Sequence, residues 1–132
     1  MLDDLGLIAA LKWQGNDFEK RTGIITDFVA LENDVKIPDC IAIVFFRVFQ
    51  ESLTNVAKHS KATRVKGYFE NTGNFYTLSV SDNGCGFDSG TVSIKKTLGL
   101  IGMEERIVRV GGKLLIDTAP GKGTSLTITV PH

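Results

Sequence analysis

Along the chain, apolar positions switch between a spacing of three or four residues, as a helix buries them, and a spacing of two, as a strand does. Leu5, Ile8 and Leu11 keep the helical spacing, which predicts an opening helix from Leu5 to about Lys20. Thr22-Gly23 interrupts it, and the β-branched and aromatic stretch from Ile24 to Leu31 predicts a strand. Pro38-Asp39 then supplies a start signal for a long helix reaching about Ser60. Ile41, Val44, Phe45, Val48, Phe49, Ser52 and Val56 form its single stripe.

Arg64–Phe69 and Phe75–Val80 alternate on either side of Asn71-Thr72-Gly73-Asn74, a tight-turn sequence, and predict a β-hairpin. The Gly-, Ser-, Thr- and Asp-rich stretch from Ser81 to Thr97 reads as a long loop, of the kind that carries function in compact domains. Leu98 to about Val110 returns to helical spacing and stops at Gly111-Gly112, a glycine cap. Lys113–Asp117 and Thr124–Val130 flank Pro120-Gly121-Lys122-Gly123, a second hairpin. No repeat, linker or low-complexity tract divides the chain.

Composition narrows the classes. A chain of 132 residues fits one domain, and 42% hydrophobic with 23% charged residues is an ordinary globule. Fifteen basic against fifteen acidic residues leave a formal charge of zero, so no global field draws the chain to nucleic acid or anionic lipid. The longest uninterrupted apolar run, Cys40 to Phe46, falls far short of the about 20 residues a membrane span needs. Met1-Leu2-Asp3-Asp4 is acidic where a signal peptide is basic. Cys40 and Cys85 lack zinc-ligand spacing and suit a reducing compartment, so a cytoplasmic domain is expected.

Three clusters could carry chemistry. Glu51, Asn55 and Lys58 fall on one strip of the long helix, bordering its apolar stripe. That strip fits a solvated helix face as well as a pocket wall; as a wall it offers an amide oxygen to a hard cation and an ammonium to phosphate. Ser81-Asp82-Asn83-Gly84-Cys85-Gly86-Phe87 follows a strand. It reads as a strand-ending turn, or as a corner whose glycines admit a flat ligand and whose carboxylate accepts an amine hydrogen. Leu98-Gly99-Leu100-Ile101-Gly102-Met103 places small residues at a helix start, where free amides bind anions, although Gly-x-x-Gly alone is weak evidence.

Taken in order, Glu51-x-x-x-Asn55, Asp82-x-Gly84-x-Gly86, Leu98-Gly99-Leu100-x-Gly102-Met103 and Gly121-x-Gly123-Thr124 resemble four sequence boxes of one ATP-binding domain. That domain, the Bergerat fold, is shared by sensor histidine kinases, type II topoisomerases, a mismatch-repair ATPase and a heat-shock chaperone. The resemblance covers essentially the whole chain. Phe46–Ser60 and Gly102-Met103-Glu104-Glu105-Arg106 look most like bacterial histidine kinases of the nitrate-sensor and lipid-fluidity-sensor type. Asp4-Leu5-Gly6-Leu7 and Ala10-Leu11-Lys12-Trp13 look like the stretch where those kinases leave their dimerisation helices.

The resemblance implies an α+β fold, a two-layer α/β sandwich with a mixed sheet of about five strands on about three helices and ATP between the layers. It implies one domain over 1–132, with 1–22 a leading helix continuing from a dimerisation domain. Asp82 would accept the adenine amino group, helped by Thr124 through water, and Gly84 and Gly86 would shape the purine wall. Asn55 would coordinate Mg²⁺ and Lys58 would contact the phosphates. Gly99, Leu100, Gly102 and Met103 would form the lid end and helix start beside them, and Glu51 would be general base or orienter of the attacking histidine. Thr97 stands where that lid motif begins with glycine, and the lid, about Asp88 to Thr97, is short.

In such kinases the phosphoacceptor histidine lies on a separate dimerisation domain, and a response regulator follows. His59 is therefore read as a helix-end or phosphate-contact residue, Cys85 as a small filler, and no autophosphorylation is expected of this chain. The basic run Lys58, Lys61, Arg64 and Lys66 reads as a solvated face before a docking patch. No nucleic acid and no direct membrane contact are expected. The alternatives are a serine kinase of the anti-sigma-factor type and a nucleotide-gated ATPase module.

Overall fold

The computed structural model describes residues 2–30, 37–72, 74–86, 99 and 101–131. Helix α1 spans Leu2–Thr22 but is broken at Gly6, whose φ of 78° and ψ of 166° are not helical. From Leu7 on it buries Leu7, Ile8, Leu11 and Phe18. Its end is capped by Thr22, whose hydroxyl donates to the Phe18 carbonyl and accepts the Ile24 N–H. Strand β1, Ile25–Ala30, follows.

Helix α2 covers Asp39–Asn55 and runs on as a wider π turn over Val56–Ser60, so the helix expected to reach Ser60 changes pitch at its end. The expected stripe is buried at Val44, Phe45, Val48, Phe49, Ser52 and Val56, while Ile41 is half-buried. Phe45 is fully enclosed, edge-on to Phe69 at 5.6 Å and to Tyr76 at 6.5 Å. The buried Ser52 hydroxyl donates to the Val48 carbonyl at 2.7 Å, which satisfies it within the helix. Residues 39–59 reach the length and mean hydropathy (1.3) of a membrane span, which counting uninterrupted apolar runs passed over. Here that segment is the helix covering the sheet.

Strands β2 (Arg64–Asn71), β3 (Phe75–Asp82), β4 (Lys113–Thr118) and β5 (Thr124–Pro131) complete a five-stranded sheet in the order β1-β2-β3-β5-β4. Strands β1 and β2 pair in parallel around the α2 crossover, and the other pairs are antiparallel, so the sheet is mixed as expected. Val65 and Phe69, Tyr76, Leu78 and Val80, and Leu126, Ile128 and Val130 point inward. The opposite parity carries Lys66, Thr77, Ser79 and Thr127. One face is thus apolar and covered by helices, while the other is open and mixes these polar residues with exposed Ile25, Val29, Phe75 and Leu115: a two-layer sandwich. Gly67 sits inside β2 because a Cβ there would lie 2.8 Å from the Phe28 ring and 3.2 Å from that of Phe49.

Helix α3, Ile101–Arg109, buries Ile107 against this core. It ends as the double glycine predicted. Gly111, at φ 79°, donates to Val108 at 2.9 Å, and Gly112 donates to Ile107 at 2.8 Å, a Schellman pair. Replacing Phe45 by Ala should cost about 3–5 kcal/mol in urea unfolding, whereas Phe75→Ala, at a ring 45% exposed, should cost less than about 0.5 kcal/mol.

Candidate functional site

The chemistry-bearing segments meet at one end of the sheet. Strand β3 finishes at Asp82, whose Oδ1 accepts the Gly84 N–H at 2.8 Å and so turns the chain sharply. Asn83 fastens that turn to the start of β2. Its Oδ1 accepts the N–H groups of Thr63 and Arg64 at 2.9 and 3.0 Å, and its Nδ2 donates to the Thr63 hydroxyl at 2.9 Å. The sequence offered Asn83 only as a turn residue, and this clamp is a function it did not reveal. An Asn beside a strand-ending Asp is the one signal that could have suggested it.

Residues 82–86 pack directly on the loop between β4 and β5. Gly86 adopts φ 65°, and a Cβ there would run into the carbonyl oxygens of Ala119 and Gly123. Gly123 adopts φ 75°, and its Cβ would run into the Asp82 carbonyl. The Gly121 N–H donates to the Cys85 carbonyl at 2.6 Å. Thr118, another residue the sequence did not single out, holds this loop shut: its hydroxyl lies 3.2 Å from the Gly123 carbonyl and 2.9 Å from the Thr124 hydroxyl. Asp82, Gly84, Gly86, Gly121, Gly123 and Thr124 therefore share one corner.

Helix α2 supplies the facing side. Glu51 and Asn55 are half-buried on it, one turn apart. A Cβ on Gly99 would lie 3.0 Å from Glu51 Oε1, so the carboxylate rests against that glycine, at φ 69°. The Cys85 thiol donates to the His59 carbonyl at 3.3 Å, which ties the Asp82 corner to the π turn. Lys58 departs from the expected strip. The π turn advances each residue by less than the about 100° of an α-helix, and Lys58 lines the groove between α1 and α2 with Thr54 and Ala57. Gly102 is exposed in the first turn of α3, and half-buried Met103 packs on the core. Leu100, together with Phe87, the lid of about 88–97 and Leu98, lies outside the described residues.

Burial pushes the Asp82 carboxyl above the usual carboxylate range, partly offset by backbone N–H donation from Gly84 and Thr124. A carboxylate has about four lone-pair sites, more than the Gly84 and Thr124 N–H donors use, so half-buried Asp82 keeps acceptor capacity for a ligand amine. Among the described residues no three His, Cys, Asp or Glu side chains converge on a cation. Any hard cation would therefore depend on ligand oxygens, with the Asn55 amide oxygen as a protein donor of suitable chemistry.

Residues 41–132 match the family model described as histidine kinase-, DNA gyrase B- and HSP90-like ATPase. Among curated relatives, the signal transduction histidine-protein kinase/phosphatase DegS of Brevibacillus brevis is 41% identical over 98% of this chain and 33% of its own length. The oxygen sensor histidine kinase NreB of Staphylococcus carnosus is 36% identical over 98% of this chain and 38% of its own. The chain thus spans about a third of these relatives. Of solved structures, the histidine kinase domain of the Erythrobacter litoralis EL346 blue-light activated histidine kinase superposes with a TM-score of 0.72. It is 20% identical, with 95% of this chain and 60% of that chain covered, and shares the fold.

The raised Asp82 pKa fixes a sign. A carboxyl whose folded-state pKa exceeds its unfolded value contributes stability below the unfolded pKa and loses it as pH rises through the folded one. Charged Asp82 therefore costs stability near neutrality. Asp82→Asn, which keeps the oxygen that accepts from Gly84, should melt at the same temperature as the wild type or higher at about pH 7. The difference should close as pH falls into the carboxylate range, as thermal melts across pH would show.

Proposed function

The chain belongs to the histidine kinase-, DNA gyrase B- and HSP90-like ATPase family, and on that premise we propose that it is the ATP-binding catalytic domain of a sensor histidine kinase. The reading rests on one observation above all: the Asp82–Gly86 turn is locked onto the 119–124 loop and tied through Cys85 to the end of the Asn55-bearing helix. One carboxylate acceptor, close-packed glycine backbone and a metal-competent amide therefore border a single region. The identities of 41% and 36% to histidine kinases favour this reading over a serine kinase or a nucleotide-gated ATPase module.

In this proposal Asp82 accepts the exocyclic amine of adenine, with Thr124 assisting through water, and Gly84 and Gly86 let the purine lie against bare backbone. Asn55 holds Mg²⁺ together with the phosphates, and the ion supplies neutralisation of phosphate charge. Gly99, Gly102 and Met103 border the phosphates where α3 begins, with the α3 amides as donors, and Leu100 is assigned the same role from the motif alone. Lys58 reaches phosphate only by swinging its long stem back from the α1 side of the helix. Glu51, beside Gly99, takes or orients the imidazole proton of the incoming histidine.

The acceptor histidine belongs to a dimerisation domain of the parent protein, onto which residues 1–22 of this single domain lead, and a cytoplasmic response regulator takes the phosphoryl group onward. Calorimetry with millimolar ADP should show heat with Mg²⁺, loss of that heat in Asp82→Asn, and weakening as pH falls through the raised Asp82 pKa. Labelled ATP mixed with this chain and a histidine-bearing dimerisation domain should yield acid-labile phosphoprotein. Glu51→Gln should lower that transfer by about 10²–10⁴-fold with ADP binding retained. Acid-stable label, or ADP heat indifferent to Asp82, would refute the reading.

A further inference from the structure

On the face of the helical layer, α2 and α3 leave a groove of about 370 Å³ between them, separate from the corner described above. Its floor is apolar, formed by Ile43, Val44 and Val110, and its rim carries Arg47, Arg106 and Arg109. Among the described residues no carboxylate lines it. The ion pair present among those residues is Arg21–Asp17, on the opposite flank, so none of these guanidiniums lies within 4 Å of a carboxylate there, although Glu105 stands one turn before Arg109 beside it. In a chain with formal charge zero, this is a local excess of positive charge around a greasy slot.

A helix-end role explains only part of it. Arg106 and Arg109 stand in the last turn of α3, where cations complement the helix dipole. That dipole end carries about half a charge and cannot neutralise two guanidiniums. Arg47 sits in mid-helix on α2, where the dipole gives it no partner. Arginine rather than lysine at all these positions suits planar, bidentate contact with carboxylates. The recessed floor suits aliphatic side chains standing out from a narrow element, not a flat lipid surface.

We propose that this groove docks an acidic amphipathic helix of a partner protein, its aliphatic residues on Ile43, Val44 and Val110 and its carboxylates on Arg47, Arg106 and Arg109. Arg47 precedes Glu51 by one helical turn, so the rim of the groove on α2 adjoins the candidate site, while none of the groove's lining residues belongs to the Asp82 corner. The proposal stands whether or not the chain transfers phosphate.

The test uses the whole chain and a fluorescein-labelled helical peptide of about 14 residues (roughly four turns), with leucines on one stripe and glutamates flanking it. A glutamine-for-glutamate version keeps the leucines without charge. Fluorescence anisotropy should show the glutamate peptide binding at least about tenfold tighter than the glutamine one, and weakening between about 50 and 200 mM salt. Arg47→Glu with Arg106→Glu, both at exposed positions, should lower that affinity at least tenfold, and Arg47→Gln with Arg106→Gln by less. Saturating MgADP should not displace the peptide. The proposal is overturned by absent or charge-independent peptide binding, by arginine variants that bind unchanged, by displacement with MgADP, or by binding to phosphatidylserine vesicles in place of the peptide.

Discussion

The molecule's working end depends on two stretches of backbone touching where no side chain fits. At Gly86 and Gly123 the space of a Cβ is filled by carbonyl oxygens of the opposing loop, and both residues take the positive φ that glycine adopts without strain. What brings those loops together is the register of the sheet. Ser81 pairs with Ser125 on adjacent antiparallel strands, so the residues that follow Asp82 and precede Thr124 must leave the sheet side by side. A slip of one residue would turn the apolar face outward and pull the corner apart. Core burial and site geometry are for this reason one constraint, not two.

That economy has a cost visible in Asp82. Its carboxyl is held partly out of water, where the charged form is disfavoured, and two backbone N–H donors only partly offset the penalty. The fold spends further groups to keep the turn in place: the whole Asn83 amide goes to residues 63 and 64, and the Thr118 hydroxyl to the opposite loop. Groups arranged this way position a ligand; they are not needed to close a hydrophobic core, which Phe45, Phe49 and Phe69 already fill.

Most of the architecture was legible because it follows from local periodicity. The α2 stripe, both hairpins and the Gly111-Gly112 cap could be read from spacing and turn chemistry alone. The break at Gly6 and the π turn at 56–60 could not, since apolar spacing does not register a local change of pitch. Within the site, the Asp82 and Gly123 segments were recognisable as boxes, yet the contact between them joins residues far apart in sequence. The Asn83 clamp and the Thr118–Thr124 hydroxyl pair depend equally on such pairing, and Lys58 was assigned to a strip by assuming an unbroken α-helix.

That change of pitch reaches further. A π turn accommodates one residue more than the α-helix it interrupts, so the segment after Asn55 is out of phase with the segment before it. The carbonyl of His59, inside that turn, accepts from a thiol of the other layer. Removing His59, the residue after Lys58, so that the pitch returns to that of an α-helix with Lys58 three residues past Asn55, would therefore act like turning a key. The bitting on Asp39–Asn55 stays where it is, while the last tooth, the ammonium of Lys58, swings round to the flank that Glu51 and Asn55 occupy.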